Sequence, residues 1–474
     1  MSYNFAADTD TYKYTHGPQL PENLAYTTSY GGARSEERWT HTMCFGPQGQ
    51  IKKMMEDPLT HAKVDEAEAM ALAHVGFFPS KAMRMIVDEY AGLPPVRIQV
   101  LPEGLMVPRG VPQFQITSTD PRFPALGQFM ETPWVRALWM PGSVATESWY
   151  QKQDIRQMLE ETSDDPDSAL QFALHDFGGR GATCEEHAAL AGMAHLINFM
   201  GTDTVPALFA ARRFYGENVA GFSIPAMEHF TVTAWGRDKE ADAYANMIRT
   251  FGGAGKKYAC VADAFDIYNA VDNIWGKQLK QLVLDTGGTA VIRPDSGDPV
   301  SVVLYVVKSL LNSYGYERNR KGYAVLNPAV RVIQGDGINR ETIRSIQTTL
   351  KLHDIACENV AFGEGSELLN GVRRDDGGYA QKACAITSGH SGWTGISKDP
   401  VTARQKASLK GRQMVYRDAS GELRTAPEYS VDAVNLLEDV YLNGKLLRDM
   451  SFAEVRANSN LKVNREIAFL KNSA

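Results

Sequence analysis

Between residues 175 and 366, short apolar runs are repeatedly followed by polar clusters that hold the side chains best suited to chemistry. Most clusters combine Asp, Glu, His or Arg with glycine, and a helical pattern follows each one. Repeated strand-then-helix units imply parallel strands, and a (β/α) barrel gathers its reactive groups where such strands end. The clusters occupy residues 175–180, 201–204, 225–229, 263–266, 293–299, 334–337 and 362–366.

Three cationic side chains in these clusters suit an anionic ligand such as a phosphate. Arg180 lies between two glycines, which let a bulky anion approach the backbone, and Arg293 ends an apolar run. His229 follows Glu228, and a neighbouring carboxylate can keep an imidazole cationic or tune it to accept a phosphoryl group. For any single arginine the alternative is a structural salt bridge. A lone histidine is more often packed in a core, which is our interpretation of His195.

Four carboxylates lie at separate predicted strand ends: Asp203, Asp266, Asp295 and Asp336. Acids that converge from several strands could bind Mg²⁺, ribose hydroxyls or a developing positive charge. Taken singly, each is more often a helix cap or turn former, because Asp bonds readily to nearby backbone N–H groups. Their recurrence at one face favours a functional role.

Two helix starts support the alternation of strands and helices. Thr183 with Glu186 three residues on is typical of a capping box, and Asp298-Pro299 places an N-cap and a first-turn proline ahead of 302–311. Helix N-termini carry free N–H groups and the positive end of the helix dipole. The loops that end on them therefore suit phosphate.

The flanking segments lack these repeats and favour a different structure. The first 150 residues are rich in Pro, Gly and aromatic residues, which indicates a mainly β region with helical patches, and the tail from about residue 398 is charged and is expected to return to it. We predict an N-terminal β-rich domain (1–165), an α/β barrel-like catalytic domain (166–390) and a C-terminal segment (391–474) that joins the β-rich domain. Predicted strands lie at 96–101, 113–117, 383–388 (an eighth barrel strand), 413–416 and 440–442, and predicted helices at 65–74 and 144–161, the latter broken by the acidic turn 163–167.

Composition excludes several classes of protein. The 474 residues are 43% hydrophobic and 22% charged with a net charge of −7, which argues against a polyanion such as nucleic acid as the main partner. No stretch approaches the roughly 20 apolar residues of a membrane helix, and the N-terminus shows no secretory signal. The five cysteines form no CxxC pair, so we expect them to be reduced and the protein to be cytoplasmic.

Two glycine-rich segments imitate phosphate loops. Residues 284–289 resemble the loop that binds phosphoribosyl diphosphate in type I phosphoribosyltransferases, but the paired acids that should precede the glycines are missing. Residues 252–257 imitate a P-loop, yet they precede a predicted strand instead of following one. Neither is expected to bind phosphate.

With these motifs in view, the chain closely resembles the nicotinate/nicotinamide phosphoribosyltransferase family. Several motifs occur in one order, and the likeness runs from Asp10-Thr11-Tyr12-Lys13 to Ser451-Phe452. The resemblance implies an α/β fold, an irregular (β/α) barrel of the type II phosphoribosyltransferase kind with a second, β-rich domain. The motifs are His175–Gly181, Gly201–Val205, Ile224–His229, Asp266–Asn269, Ile292–Gly297 and Arg331–Gly337.

The same resemblance implies a reaction and its partners. Such an enzyme transfers phosphoribosyl from 5-phosphoribosyl 1-diphosphate to nicotinamide, giving nicotinamide mononucleotide and diphosphate with Mg²⁺, in NAD salvage. ATP acts as an activating co-substrate by phosphorylating the histidine that matches His229. Family members are homodimers whose active sites are shared between subunits.

Site residues carry over from the family position by position. Phe177 and Arg293 are expected to sandwich the pyridine ring, Tyr12 of the second subunit to close the pocket, and Asp203 to accept the amide N–H; Asp10 and Ala226 fall in the same pocket. Expected catalytic residues are His229, Asp295, Arg293 and Asp203, and expected ribose ligands are Asp295, Asp336 and Asp266. Expected phosphate ligands are Arg180, His229, Arg293, Gly335, Asp336, Ser366, Arg374, Arg34, Lys382, Lys398 and Lys406.

Four positions depart from the family pattern. Gly179 replaces an aromatic residue, and Ser366 stands where the phosphate loop has a glycine. Glu364 and Glu367 add acids to that loop, so we expect them to weaken phosphate binding and the coupling to ATP. The reaction assignment is unaffected.

The alternative functions, within this enzyme class and outside it, would require different residues. Nicotinate phosphoribosyltransferase shares the chemistry, but the Asp203 carboxylate should repel a nicotinate carboxylate and favour the amide. A non-catalytic nucleotide-binding relative would not need the full set of reactive side chains, which comprises Arg180, Asp203, His229, Arg293 and Asp295. A barrel aldolase or metal hydrolase would need a lysine at a strand end or clustered histidine ligands, and neither is evident.

Overall fold

The computed structural model describes residues 3–34, 38–402 and 407–461. The chain forms two compact units, which we call the β-rich unit (Met1–Thr146, Ala211–Glu217 and Val372–Ala474) and the barrel unit (Glu147–Ala210 and Asn218–Gly371). The units divide at 146/147 and 371/372, whereas the sequence suggested boundaries near 165 and 390. The α/β class with a barrel and a β-rich part is confirmed.

The strands are β1 (Tyr26–Gly32), β2 (His41–Met43), β3 (Val96–Val100), β4 (Met106–Pro108), β5 (Phe114–Ser118), β6 (Leu174–Asp176), β7 (Gly201–Thr202), β8 (Lys257–Val261), β9 (Thr289–Arg293), β10 (Tyr316–Arg318), β11 (Ala324–Leu326), β12 (Val330–Gln334), β13 (Val360–Glu364), β14 (Ala380–Thr387), β15 (Thr394–Gly395), β16 (Gln413–Arg417), β17 (Leu423–Pro427), β18 (Glu438–Leu442) and β19 (Lys445–Leu446).

The helices are α1 (Pro47–Glu56), α2 (His61–Val75), α3 (Ser80–Tyr90), α4 (Leu126–Phe129), α5 (Glu131–Thr162), α6 (Pro166–Leu170), α7 (Glu185–His195), α8 (Val205–Tyr215), α9 (His229–Thr233), α10 (Glu240–Phe251), α11 (Ile267–Asn269), α12 (Lys280–Thr286), α13 (Pro299–Tyr314), α14 (Arg340–Leu352), α15 (Ser366–Asn370), α16 (Arg374–Gly377) and α17 (Phe452–Ser459). A π-helix follows α11 at Ala270–Gln278, and short 3₁₀ helices lie at Thr11–Thr15 and Gly179–Gly181, among other places.

The β-rich unit is built on an antiparallel sheet with the strand order β15-β14-β1-β5-β3-β18-β19. Strands from the C-terminal segment therefore pair with strands from the first 120 residues. Val96, Ile98 and Phe114 on β3 and β5 are fully buried and belong to the hydrophobic core of this unit.

The barrel unit is built on a parallel sheet with the order β7-β6-β13-β12-β9-β8. Two parallel bridges, Gly201 with Phe222 and Ala226 with Ala259, tie both edge strands to the segment 222–226. Because one short segment bonds to both edges, the sheet curls into a barrel.

Alternation along the barrel strands separates an outer face from an inner one. Tyr258, Cys260 and Ile292 are buried in the large core that also holds helix residues, whereas Ala259 and Val291 form a small cluster with Phe177. Few buried side chains therefore fill the inner face of the sheet, which leaves space inside the barrel.

Several predicted elements are confirmed. Strands lie at β3, β5, β16 and β18, and α2 covers the predicted helix at 65–74. Asp298 caps α13 by accepting from the Ser301 N–H at 2.8 Å, with Pro299 in the first turn. His195 is fully buried and stacks on Phe199, as its apolar surroundings indicated. The described cysteines are all free.

Three predictions of local structure are wrong. The segment at 383–388 is not a barrel strand, because β14 pairs antiparallel with β1 in the β-rich unit. The Thr183 capping box is absent, since Cys184 is the N-cap of α7 and the Thr183 hydroxyl instead bonds to His187 Nδ1 at 2.9 Å. Helix α5 begins at Glu131, not near 144, and continues through Pro141.

The described residues contain no helix long and apolar enough to cross a membrane.

Candidate active site

Residues from six strand ends share one rim of the barrel. Parallel strands end at the same edge of a sheet, so loops that follow them are neighbours. The glycines of these loops allow close approach: a Cβ on Gly181 would overlap Ser366, which places the 3₁₀ turn holding Arg180 beside the start of α15. The rim residues are Phe177 after β6, Asp203 after β7, Asp263 after β8, Arg293 and Asp295 at the end of β9, Gly335 and Asp336 after β12, and Ser366 after β13.

Phe177, Arg293 and Asp295 meet around Gly335. A Cβ placed on Gly335 would lie 2.7 Å from Asp295 Oδ1, 3.5 Å from Arg293 Cδ and 3.7 Å from the Phe177 ring. A Cβ on Gly363 would overlap that ring, so Phe177 packs closely against the backbone at Gly363. The structure thus brings together the two side chains predicted to stack on the ligand and the acid predicted to face its ribose.

Below this group the barrel encloses a cavity of about 550 Å³. Its volume falls within the range of small-molecule sites. Apolar side chains make up much of its wall, and four predicted ligand residues also line it: Phe177, Asp203, Ala226 and Arg293. Ser223, which was not predicted, lines it as well.

Asp203 receives a hydrogen bond inside this cavity. The Ser223 hydroxyl donates to Asp203 Oδ1 at 2.5 Å. His175 also lines the cavity, and its Nε2 lies 3.0 Å from the Phe172 carbonyl oxygen. Burial lowers the pKa of His175, against the opposing effect of the Asp203 charge, so the imidazole is uncharged at neutral pH. This wall therefore presents an acceptor carboxylate beside a neutral ring.

His229 pairs with a carboxylate, but not with the one next to it in sequence. Its Nε2 lies 3.1 Å from Asp263 Oδ1; the Asp263 side chain is only 5% exposed while the imidazole is 47% exposed. Glu228 is the N-cap of α9 and makes no side-chain capping bond. The interpretation that Glu228 tunes His229 is thus replaced by Asp263, a residue 34 positions away.

Asp295 sits in a network of charges. Burial raises the pKa of its carboxyl; Arg293 and His229 act in the opposite direction, and Asp263 and Asp336 add to the rise. Arg293 Nε lies 3.7 Å from Asp295 Oδ1 and is buried without a hydrogen-bond partner among the described residues. A buried donor left open in this way fits an anionic ligand.

Asp266 is engaged differently from the other acids. Its Oδ1 accepts from the N–H groups of Tyr268 and Asn269 and so caps α11. The ribose role expected for Asp266 stays a prediction, and the local alternative weighed for a single Asp describes its contacts.

The two added acids of the phosphate loop, Glu364 and Glu367, are directed elsewhere: Glu364 points to the opposite face of the sheet, and Glu367 lies against the backbone of Gly371. On β13, Gly363 faces the Phe177 ring, so Glu364 points to the opposite face, where it is 1% exposed and accepts from Gln151 Nε2 at 2.7 Å. The Glu367 carboxylate lies within 2.6 Å of a Cβ built on Gly371. The expectation that Glu364 places charge in the phosphate loop is therefore wrong.

The remaining predicted residues belong to the β-rich unit. Tyr12 is 57% exposed on its 3₁₀ helix, and Asp10 accepts from the Thr132 hydroxyl at 2.7 Å. Burial lowers the pKa of Lys382, as do Arg34, Lys13 and Lys398, while Glu131 opposes them, so these cations form one cluster. Arg374 pairs with Asp375 at 2.7 Å, and Lys406 lies outside the described residues.

Sequence analysis missed two residues of the site, Asp263 and Ser223. Asp263 belongs to the polar cluster 263–266, of which only Asp266 was predicted as a ligand, and Ser223 carried no signal of its own. Only the tertiary contacts with His229 and Asp203 identify them.

The fold resembles solved structures of pyridine phosphoribosyltransferases. A nicotinate-nucleotide pyrophosphorylase from Pyrococcus furiosus aligns with a TM-score of 0.62 and 15% identity over 96% of this chain and 94% of that one. Human nicotinic acid phosphoribosyltransferase aligns with a TM-score of 0.59 and 16% identity over 98% and 96% of the two chains. At this identity the likeness shows the fold alone, which the chain shares with these two enzymes.

Sequence comparison identifies the family. Residues 172–445 match the nicotinate phosphoribosyltransferase (NAPRTase) family, and residues 4–98 match the N-terminal domain of nicotinamide phosphoribosyltransferase. The chain is 42% identical over 467 residues to nicotinamide phosphoribosyltransferase of Xanthomonas campestris pv. campestris (strain 8004), covering 96% of this chain and 98% of that protein. The chain belongs to the nicotinate phosphoribosyltransferase family and is an enzyme, a pentosyltransferase.

Proposed function

We propose that the protein makes nicotinamide mononucleotide and diphosphate from nicotinamide and 5-phosphoribosyl 1-diphosphate, a step of NAD salvage. The observation that carries the proposal is Asp203 in the wall of the cavity beside Phe177 and Arg293. A carboxylate accepts from a carboxamide N–H and repels a carboxylate. The name of the Xanthomonas relative supports the same substrate.

The reaction requires the enzyme to position the two substrates and to compensate the charges that develop, and it requires no proton transfer. The pyridine nitrogen attacks the anomeric carbon of the ribose as diphosphate leaves, and that nitrogen has no proton to lose, so no general base is needed. Stacking between Phe177 and Arg293 fixes the ring for in-line attack, and orientation of this kind removes a large part of the barrier.

Leaving-group charge is met by the cations of the rim. Arg180, Arg293 and His229 stabilise the departing diphosphate, and the open Nε of Arg293 is a donor available for it. Asp295 offsets the positive charge that builds on the ribosyl ring.

Mg²⁺ fits this site as a companion of the diphosphate. Among the described residues no group of three or more His, Cys, Asp or Glu side chains is arranged to hold a metal ion. The separate carboxylates of Asp295 and Asp336 are hard oxygen donors that could contact an ion carried by diphosphate and water. Such an ion would neutralise charge on the leaving group.

Activation by ATP through a phosphohistidine is part of the proposal. Asp263 engages Nε2 of His229, which leaves the other ring nitrogen of this half-exposed imidazole to accept a phosphoryl group. Labelled ATP should mark the wild type but not His229→Ala. His61→Ala is the matched control, because His61 makes an exposed pair with Asp88 at 2.8 Å in the β-rich unit. Full ATP stimulation in His229→Ala would overturn this part.

The proposal includes a homodimer whose active sites draw on both subunits. Exposed apolar side chains on the barrel unit, such as Phe222 (48%), Phe230 (70%) and Trp235 (41%), and the exposed Tyr12 support an interface. Mixing subunits of Tyr12→Ala with subunits of Asp295→Asn tests it. In a mixed dimer one site would carry both defects and the other neither, so activity should reappear; no recovery would place Tyr12 in its own subunit's site or outside it.

The decisive assay measures mononucleotide formation with nicotinamide and with nicotinate. We expect the wild type to prefer nicotinamide, and Asp203→Asn to lower the ratio of kcat/KM for nicotinamide over nicotinate. A preference for nicotinate would identify a nicotinate phosphoribosyltransferase. Absence of any mononucleotide would favour a non-catalytic nucleotide-binding relative.

A further inference from the structure

The segment that carries Ser223 is fixed on both sides by neighbouring strands. The Phe222 N–H donates to the Met200 carbonyl at 2.7 Å, and the Phe222 carbonyl accepts from Thr202 N–H at 3.1 Å. Farther along, Pro225 O accepts from Ala259 N–H at 2.9 Å. Ser223 therefore has a defined backbone position although its side chain is exposed to the cavity.

Asp203 is held in a similar way. Its N–H donates to the Asp176 carbonyl at 2.9 Å, and its own carbonyl accepts from Val205 N–H at 3.1 Å. Of the described residues, Ser223 supplies the side-chain hydrogen bond to its carboxylate, at Oδ1 and 2.5 Å. With Oδ1 engaged, Oδ2 is the oxygen left to accept from a ligand.

We propose that Ser223 is a positioning residue for ring-substituent specificity: by donating to Asp203 Oδ1, it aims Oδ2 at the carboxamide N–H of the substrate. This inference rests on the proposed function. A carboxylate on a short side chain can otherwise turn about its terminal bond, and a charge-assisted hydrogen bond from a fixed hydroxyl removes that freedom.

Asp203 needs the second group, Ser223, because a hydrogen bond from the carboxamide N–H depends on direction. A rotating carboxylate still repels nicotinate, because repulsion between charges depends little on angle, but it accepts from an N–H only when aligned. Loss of Ser223 should therefore weaken nicotinamide binding while nicotinate stays excluded. This pattern separates Ser223 from Asp203, whose loss changes both.

The test compares variants that keep or remove the donor. Ser223→Ala should raise KM for nicotinamide about tenfold, as expected for losing the alignment of a charged hydrogen bond, with kcat changed by less than about threefold. Ser223→Thr keeps the hydroxyl and should restore KM to within about threefold. Ser223→Cys keeps the shape with only a weak donor and should resemble alanine. Ser345→Ala, an exposed hydroxyl on α14, is the matched control.

A double-mutant cycle shows whether Ser223 acts through Asp203. In the Asp203→Asn background, Ser223→Ala should raise KM by less than about twofold, because there is no carboxylate left to aim. Additive effects, or an unchanged KM in Ser223→Ala, would overturn the inference. If the wild type itself forms no mononucleotide from nicotinamide, the proposed function fails instead. Thermal unfolding of each variant identifies any that is misfolded.

Discussion

Two carboxylates, one in the core of the β-rich unit and one at the barrel rim, differ in their hydrogen-bond partners: Glu103 is buried, and the Asp295 side chain is 24% exposed. Glu103 in the β-rich unit is 3% exposed and accepts from the N–H groups of Gln48 (2.7 Å) and Gly46 (3.3 Å) and from the Tyr215 hydroxyl. Asp295 at the rim receives no hydrogen bond from the described residues and has only Arg293 at 3.7 Å.

Burial raises the pKa of both acids, so the difference lies in their partners. Glu103 is satisfied by the fold, and its bonds hold the start of α1. Asp295 and the buried Nε of Arg293 are left with unused hydrogen-bonding capacity. Unsatisfied buried groups cost stability, and they persist where a ligand completes them.

The largest effect should come from removing the charge at the rim. Asp295→Asn is expected to lower kcat/KM about 100-fold to 1000-fold, the range for losing an electrostatic group at a reacting centre. Its Tm should stay the same or rise. Steady-state kinetics and calorimetry check both.

The sign of the stability change follows from the pKa. The folded protein binds the Asp295 proton more tightly than the unfolded chain, so the ionised side chain costs stability, and that cost builds as pH rises from the ordinary value of 3.8 through the raised pKa. Asparagine removes it. Asp298→Asn, three residues on, is the contrasting variant: hydrogen bonds from Ser301 lower the pKa of Asp298, so its charge stabilises the fold, and its removal should leave the Tm unchanged or lower it while asparagine keeps the N-cap. A large drop in Tm for Asp295→Asn would contradict the comparison.

The satisfied carboxylate should behave in the opposite way. The pKa of Glu103 is also raised, so Glu103→Gln removes a similar cost of charge, but it places an NH₂ group against two backbone donors. We expect that mismatch to be the larger effect and to lower the free energy of unfolding by about 1–3 kcal/mol. The kcat/KM of the folded variant should remain that of the wild type. Denaturant titration measures the first, with Glu56→Gln, half of an exposed pair with Arg213, as a control near zero. Loss of activity without loss of stability would assign Glu103 to the site.

A smaller effect should appear in the pH dependence of substrate choice. Because burial lowers the pKa of His175, the ring becomes cationic only below the ordinary histidine value of about 6.5. An imidazolium beside Asp203 would offset the negative charge that repels nicotinate. The preference for nicotinamide should thus decline by a few-fold as pH falls well below the ordinary histidine value, and it should stay flat in His175→Gln. An identical decline in that variant would exclude His175 as the cause.

The sequence predicts which residues lie at the strand ends of the rim because the signals for strand ends are local. Asp295 and Gly335-Asp336 follow apolar strands directly, so their placement at strand ends needs no tertiary information. The Asp263 partner of His229 could not be found this way, since the contact depends on how two loops meet across 34 residues. Ser223 was missed for the same reason.

Errors in the secondary structure also have physical causes. Residues 380–387 have the pattern of any buried strand, and only the pairing with β1 decides which sheet they join. The helix predicted at 144–161 covers only the second half of α5, which begins at Glu131 and includes a proline, a residue that usually ends a helix. In the structure Pro141 lies within the helix, and Gly46 has no side chain to collide with the Ala137 carbonyl, the acceptor that proline leaves without its helical N–H.

The smallest effect should come from the acid that the sequence placed in the phosphate loop. Glu364 faces away from Phe177, is 1% exposed and is bonded by Gln151, so Glu364→Gln should change KM for phosphoribosyl diphosphate by less than about twofold. Ser366→Glu, two residues on at the start of α15 and beside Arg180, should raise that KM more than about tenfold because it adds charge on the rim side. Comparison of the two variants separates the rim side, where Ser366 lies, from the opposite face of β13, where Glu364 lies. Similar shifts in KM from both variants would mean that Glu364 acts on the phosphates after all.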